Sequence, residues 1–217
     1  MPKQNIGACG IERKETIDSV TACHWQEQAF ATYTNEQCKF GYRDSIFKHE
    51  LKGRIFITDV TFKLSKQPHY NITYGAIEQQ LEKMGVVELS TKAIADAVIA
   101  IRSSKLPDPK QIGNAGSFFK NPTIAAAQYQ QLKAQYPNIP SYPFSDTLVK
   151  VPAGWLIEHC GWKGYRNGDA GVHALQALVL VNYANAKGAE IWQLSGDILK
   201  SVKDKFGIDL EREVQVW

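Results

Sequence analysis

Gly113-Asn114-Ala115-Gly116-Ser117-Phe118-Phe119-Lys120-Asn121-Pro122 sets small, permissive residues in front of one serine and places two bulky aromatics behind it. Glycine lacks a Cβ and allows positive φ, so such a loop brings its backbone close to whatever lies across it. It leaves one hydroxyl, that of Ser117, in the space so made. A tight surface turn with an incidental serine is the plain alternative. The adjacent Phe118 and Phe119 argue against a solvated turn, because buried they tie the loop to a core and hold Ser117 in a fixed place. Asn121-Pro122 then suits a helix start, with Asn121 as N-cap and Pro122 in the first helical position.

Working outward, 217 residues suffice for one large or two small domains with a buried core. Hydrophobic residues at 44% and charged ones at 22% are ordinary for a globular chain. A net charge of +3 without a lysine or arginine block gives no argument for a nucleic-acid partner. No apolar run reaches the length of a membrane span, and the longest, residues 177–181, suits a buried strand. Residues 1–5 show no apolar signal region. Cys9, Cys23, Cys38 and Cys160 lack Cys-x-x-Cys spacing and read as reduced thiols in a cytosolic protein. The five histidines, at 24, 49, 69, 159 and 173, show no metal-ligand spacing, so no metal is expected and any cofactor is organic.

The first third reads as β-rich. Residues 17–25 form a strand-like run; residues 54–64 alternate with a phase change that predicts a bulge near Thr58-Asp59. Ser90 or Thr91 caps a predicted helix whose Ile94, Val98 and Ile101 share a face, stopped by Leu106-Pro107-Asp108-Pro109. Those prolines mark the best domain boundary. A second helix is predicted over 122–135, a loop over 136–143, a short helix over 153–160 and a buried strand over 177–182. The last helix, 190–206, puts Ile191, Leu194, Ile198 and Val202 on one side, and a final strand is predicted over 213–217. The mixed order of elements points to the α+β class.

Three segments each offer one polar group suited to chemistry. Arg43, within Gly41-Tyr42-Arg43-Asp44-Ser45-Ile46-Phe47-Lys48, reads either as half of a surface pair with Asp44 or as a guanidinium held among aromatics. Ser117 is the second. Glu213 alternates with Val214 and Val216, and reads either as a solvent-facing glutamate on an edge strand or as a site carboxylate.

Together these segments, with Gln4-Asn5-Ile6-Gly7-Ala8, Thr73-Tyr74-Gly75, residues 102–109 and Ala153-Gly154-Trp155-Leu156-Ile157, occur in the order found in the UDP-N-acetylenolpyruvoylglucosamine reductase family. The resemblance spans essentially the whole chain, and Thr73-Tyr74-Gly75 with the segment around Tyr142 resembles its longer, type I branch. The resemblance implies an FAD enzyme of peptidoglycan synthesis in the bacterial cytoplasm, usually monomeric. NADPH reduces the flavin, and the enolpyruvyl ether of UDP-N-acetylglucosamine is then reduced to UDP-N-acetylmuramate. It implies catalytic roles for Arg43, Ser117 and Glu213: a cation beside the substrate carboxylate, a general acid, and a companion carboxyl group. Asn5, Ile6, Gly7, Arg102 and Gly116 match cofactor positions; Tyr74, Lys105, Asn121, Tyr142, Lys150 and Gln176 match nucleotide-sugar positions.

The implied fold is the second part of an FAD-binding domain of the PCMH/VAO-like kind, residues 1–106 with 190–217, plus a substrate-binding α+β domain over 107–189. Departures from the family pattern are Lys3, Cys9 and Gln215, and a start that falls in the middle of the second family domain. The expectation is a truncated chain, poorly soluble and flavin-free alone, whose alternative role is a non-catalytic module that binds nucleotide sugar. Strands within 17–64 are expected to lack their pairing partners.

Overall fold

The computed structural model describes residues 2–8, 11–73 and 76–216. Two compact units divide the chain, Met1–Ile101 and Arg102–Trp217. Both mix strands and helices, as an α+β reading requires. Among the described residues no helix is long and apolar enough to cross a membrane.

In the first unit, β1 (Gly7–Ala8) and β2 (Ile11–Glu12) pair antiparallel. They are followed by β3 (Ile17–His24), β4 (Ala29–Thr34) and β5 (Ile55–Phe62), which form a sheet in the order β4-β3-β5. The expected loss of strand partners is corrected for β3, which is central because a short turn at 25–28 folds β4 back on one side while β5 takes the other; β4 and β5 are the edges of this sheet. The bulge lies where alternation predicts it. Thr21 faces Asp59 and Ala22 faces Ile57, so Thr58 is the extra residue. A second irregularity at Asp18 lets Ile17 join Val20 and Ala22 on the buried side. Ile17 and Val20 pack with Cys38, Ile46 and Phe47. Burial pushes the Cys38 thiol up to about 11, which leaves it unreactive. Helices α1 (Ile77–Lys83) and α2 (Thr91–Lys105) meet through Ile77, Leu81 and Ala97, with Ile94, Val98 and Ile101 alongside. Ser90 Oγ accepts the Ala93 amide at 3.1 Å, so it is Ser90 that caps α2, and the helix crosses the division between the units.

The second unit follows the order β6 (Gly113–Ser117), β7 (Thr123–Ala125), α3 (Ala126–Gln135), β8 (Tyr142–Pro143), β9 (Leu148–Lys150), α4 (Ala153–His159), β10 (Arg166–Asn167), β11 (Ala170–Val172), β12 (Val179–Asn182), α5 (Gly188–Phe206). Two antiparallel sheets result, β10-β11-β12-β6 and β7-β9-β8. The apolar run ahead of Asn182 becomes β12, buried on both faces between β11 and β6. Against this sheet lies α5, burying Leu194, Ile198, Val202 and Phe206 into one core with Phe118, Phe119, Leu156 and Ile157. Gly207 ends α5 in the left-handed conformation, φ 65°. The helix that the sequence groups with residues 1–106 thus packs within the second unit.

The sequence places a helix over 122–135, but it begins at Ala126. Residues 123–125 are drawn into β7 instead, where Ile124 pairs with Val149, and a β-branched pair suits a ladder. The final strand predicted over 213–217 is also absent among the described residues, where Arg212 makes one isolated bridge to Phe119. Gly171, inside β11, marks a close approach. A Cβ there would stand 2.8 Å from the Tyr165 carbonyl oxygen and 2.8 Å from the Tyr183 ring. Gly171→Ala is therefore expected to destabilise the protein by about 1–3 kcal/mol, the usual cost of overpacking. Denaturant titration checks this, and an unchanged midpoint would show that the neighbouring strand yields freely.

Candidate active site

Arg43 sits in a two-residue turn closed by reciprocal hydrogen bonds, the Gly41 amide to the Asp44 carbonyl at 3.0 Å and the reverse at 3.2 Å. Its φ is +55°, a conformation that costs a residue with a Cβ roughly 1–2 kcal/mol. Strain of this kind persists only where surrounding contacts fix it. Those contacts are present: Nη2 donates to the Gly7 carbonyl at 2.8 Å and Nη1 to the Asn5 carbonyl at 3.4 Å. Lys48 Nζ donates to the Arg43 carbonyl at 3.0 Å, and the Tyr42 ring lies 5.4 Å from the guanidinium carbon. Asp44 is engaged by His49, with Nε2 2.8 Å from Oδ1. Burial pushes the Asp44 carboxyl up, but bonds from His49 and the Ser45 amide and the His49 and Lys48 charges outweigh it, so its pKa is lowered.

Asn5 is fully buried, and its side chain is committed to the protein. Nδ2 donates to the Gly41 carbonyl at 2.8 Å and to Glu12 at 3.1 Å, while Oδ1 accepts the Lys14 amide at 2.9 Å. It therefore ties two pieces of backbone, at Gly41 and Lys14, and the Glu12 carboxylate around the Arg43 turn. Ile6 is exposed, and the Gly7 carbonyl is spent on Arg43. Tyr74 lies outside the described residues.

In the second unit the opening loop is an edge strand, β6. Gly116 has φ +74°, its amide bonds Asn114 Oδ1 at 3.0 Å, and no atom lies within 4 Å of where a Cβ would stand. Ser117 is exposed and faces Val179, while Phe118 and Phe119 are buried with ring centres 5.4 Å apart. The two aromatics tie this end of β6 to the core. Along their other side runs the strip 211–213: the Lys120 amide donates to the Glu211 carbonyl at 3.0 Å, and the Glu213 amide to the Phe118 carbonyl at 2.8 Å. Glu213 is thereby brought to the residue next to Ser117. It is half-buried rather than fully solvent-facing.

Tyr142 and Lys150 are cross-strand partners on β8 and β9, and the Lys150 ammonium lies 5.0 Å from the centre of the Phe144 ring. Gln176 stands at the turn before β12, its Oε1 3.5 Å from where a Cβ on Gly154 would be. Arg102 and Lys105 are exposed in the last turn of α2. Asn121 corrects its expected capping role. It caps a different helix, α4, accepting the Ala153 amide at 2.9 Å, because β7 displaces the helix it was to start. Asn121→Ala is expected to cost about 1 kcal/mol by loss of that cap. A melt of the variant checks it; unchanged stability would mean that water replaces the cap. Sequence reading missed Lys48, Phe144 and Arg212, whose signals were no stronger than those of any surface cation or loop aromatic.

The comparisons with known proteins meet this geometry in the second unit. The family model described as UDP-N-acetylenolpyruvoylglucosamine reductase, C-terminal domain, matches residues 108–217. The chain belongs to that family. A relative bearing the family's name in Flavobacterium johnsoniae is 52% identical over 99% of this chain and 64% of its own length. Another in Chromobacterium violaceum is 49% identical over 98% of this chain and 62% of its own length. The chain therefore spans less than two thirds of these relatives. A crystal structure of the reductase from Thermus caldophilus matches in fold, with a TM-score of 0.60 at 24% identity, covering 100% of this chain and 58% of that one.

Proposed function

We propose that the protein containing this chain reduces the enolpyruvyl ether of UDP-N-acetylglucosamine to UDP-N-acetylmuramate, using NADPH and FAD, for peptidoglycan synthesis in the bacterial cytoplasm. The observation that carries the proposal is the strip 211–213 bonded along 118–120, with the Glu213 amide on the carbonyl of Phe118, the residue that follows Ser117. FAD, when bound and reduced by NADPH, would supply hydride chemistry for the substrate alkene.

The residues of this chain fit such a partner in part. The open, left-handed Gly116 backbone suits close approach of a flat ring or phosphate. Asn5 would act by holding the Arg43 turn, since its own polar atoms are taken. As negative charge moves onto the substrate carboxylate, the Arg43 guanidinium neutralises it, and Glu213 is its companion, hydrogen-bonding the enol form. Ser117 gives a proton to the adjacent carbon. Tyr142 packs on the nucleotide sugar, Lys150 and Lys105 meet the diphosphate, and Gln176 completes the site. In this reading residues 107–189 carry the sugar nucleotide, with α5 as structural backing, and residues 1–106 with Arg102 face the flavin.

The test is flavin absorbance together with NADPH oxidation that depends on the enolpyruvyl substrate. NADPH oxidation that is indifferent to this substrate would sink the reading. The self-contained core of residues 102–217 favours a second reading, a nucleotide-sugar binding module. Calorimetric titration with UDP-N-acetylglucosamine decides it: saturable heat without flavin supports a module, and no heat at millimolar ligand rejects it.

A further inference from the structure

Glu213 hangs on very little backbone. The strip 211–213 makes one isolated bridge, Phe119 with Arg212, flanked by the two hydrogen bonds of Lys120 and Glu213. A ribbon of that length is not stable by itself. Leu210 and Val214 pack into the core on either side, but apolar contact is non-directional and does not fix the rotation of the residues between them.

Arg212 provides a directed contact to α5. Its Nε donates to Ser195 Oγ at 2.7 Å, and its guanidinium carbon lies 3.7 Å from the centre of the Trp192 ring. Both partners stand on α5. Ser195 is fully buried and gives its own proton to the Trp192 carbonyl at 2.6 Å, so its oxygen is turned to accept from Arg212. Gly196 lies alongside, where a Cβ would make ordinary contact with Nη2 at 3.6 Å. Lys120 adds an ion pair to Glu211 on the other side of the strip.

We propose that Arg212 is a positioning residue for Glu213, clamping the strip 211–213 to α5 so that Glu213 keeps its place against the Ser117-Phe118 edge. The inference rests on the proposed role of Glu213, and the two can fail separately. Arg212 need not touch substrate; it acts through the backbone it holds.

Amide exchange in the 217-residue chain reads the clamp without any activity. Arg212→Ala is expected to lower protection at the Lys120 and Glu213 amides about tenfold while leaving Ile198 and Val202 unchanged. Ser195→Ala, which removes the acceptor from the other side, should loosen the same two amides. In the flavin-loaded protein, Arg212→Ala should lower kcat about tenfold and move KM less than about threefold, as for a group acting on the transition state. If Arg212→Ala does not fold, Arg212→Lys keeps a charge over Trp192 but loses the directed bond, and should show the same loosening to a smaller degree. Unchanged protection at both amides overturns the clamp, even where Glu213→Ala abolishes turnover. Loosened amides with full turnover in Glu213→Ala uphold the clamp and remove the catalytic role of Glu213.

Discussion

Exchange of Ser117 for alanine is expected to lower turnover of the flavin-loaded protein by about 10²–10⁴-fold, the range contributed by a positioned general acid. The change should be chemical rather than structural. Ser117 is exposed at the end of β6, and the neighbours that anchor it, Phe118 and Phe119, stay buried without its hydroxyl. The thermal midpoint of the variant should therefore match that of the parent. Rapid mixing separates the two halves of the reaction. Reduction of flavin by NADPH needs no proton from Ser117 and should keep its rate, whereas oxidation by the enolpyruvyl substrate should slow. Full activity in the variant would remove Ser117 as the acid, and slowing of the NADPH half alone would point to a role in the flavin site.

Phe119→Ala carries the largest expected effect on stability, a loss of roughly 3–5 kcal/mol. Its ring is 1% exposed and packs on Phe118 inside the core that also holds Leu156, Ile198 and Ile208. Removal leaves a cavity that strands on one side and a long helix on the other cannot readily collapse. A typical domain has about 5–15 kcal/mol in total, so the variant should melt far earlier. Phe119 is also the bridge partner of Arg212, which means the same substitution should loosen Glu213. Denaturant unfolding of the variant measures the first effect and amide exchange at Glu213 the second. A loss below about 1 kcal/mol would show that the ring is not held as a core residue is.

Element type was legible wherever burial is periodic. The stripe Ile191, Leu194, Ile198, Val202 became one side of α5, with Leu194, Ile198 and Val202 fully in the core. The broken alternation around Thr58 became a bulge. Both patterns are local consequences of a helix or strand showing one side to a core. The segment after Asn121 was misread because its local signal, a cap residue before proline, is genuine but weak. Pairing of Ile124 with Val149 outweighed it, and the cap went to α4. The strand expected at 213–217 failed for a related reason: alternating valines permit a strand, but only a partner makes one.

The motif chain with Ser117 at its centre, the α+β class and the family were all readable from residue identity and order, because the types that a site requires are conspicuous in one dimension. Arg43 reads two ways from its sequence neighbours alone. The committed side chain of Asn5, the left-handed turn at Arg43 and the anchoring of Arg212 by Ser195 and Trp192 had no local signature. Each includes a directed bond between residues distant in the chain, 36 positions for Asn5 with Gly41, 38 for Arg43 with Asn5 and 17 for Arg212 with Ser195. Hydrogen bonds are short and angular, so which donor meets which acceptor is settled only when packing has brought the backbones together.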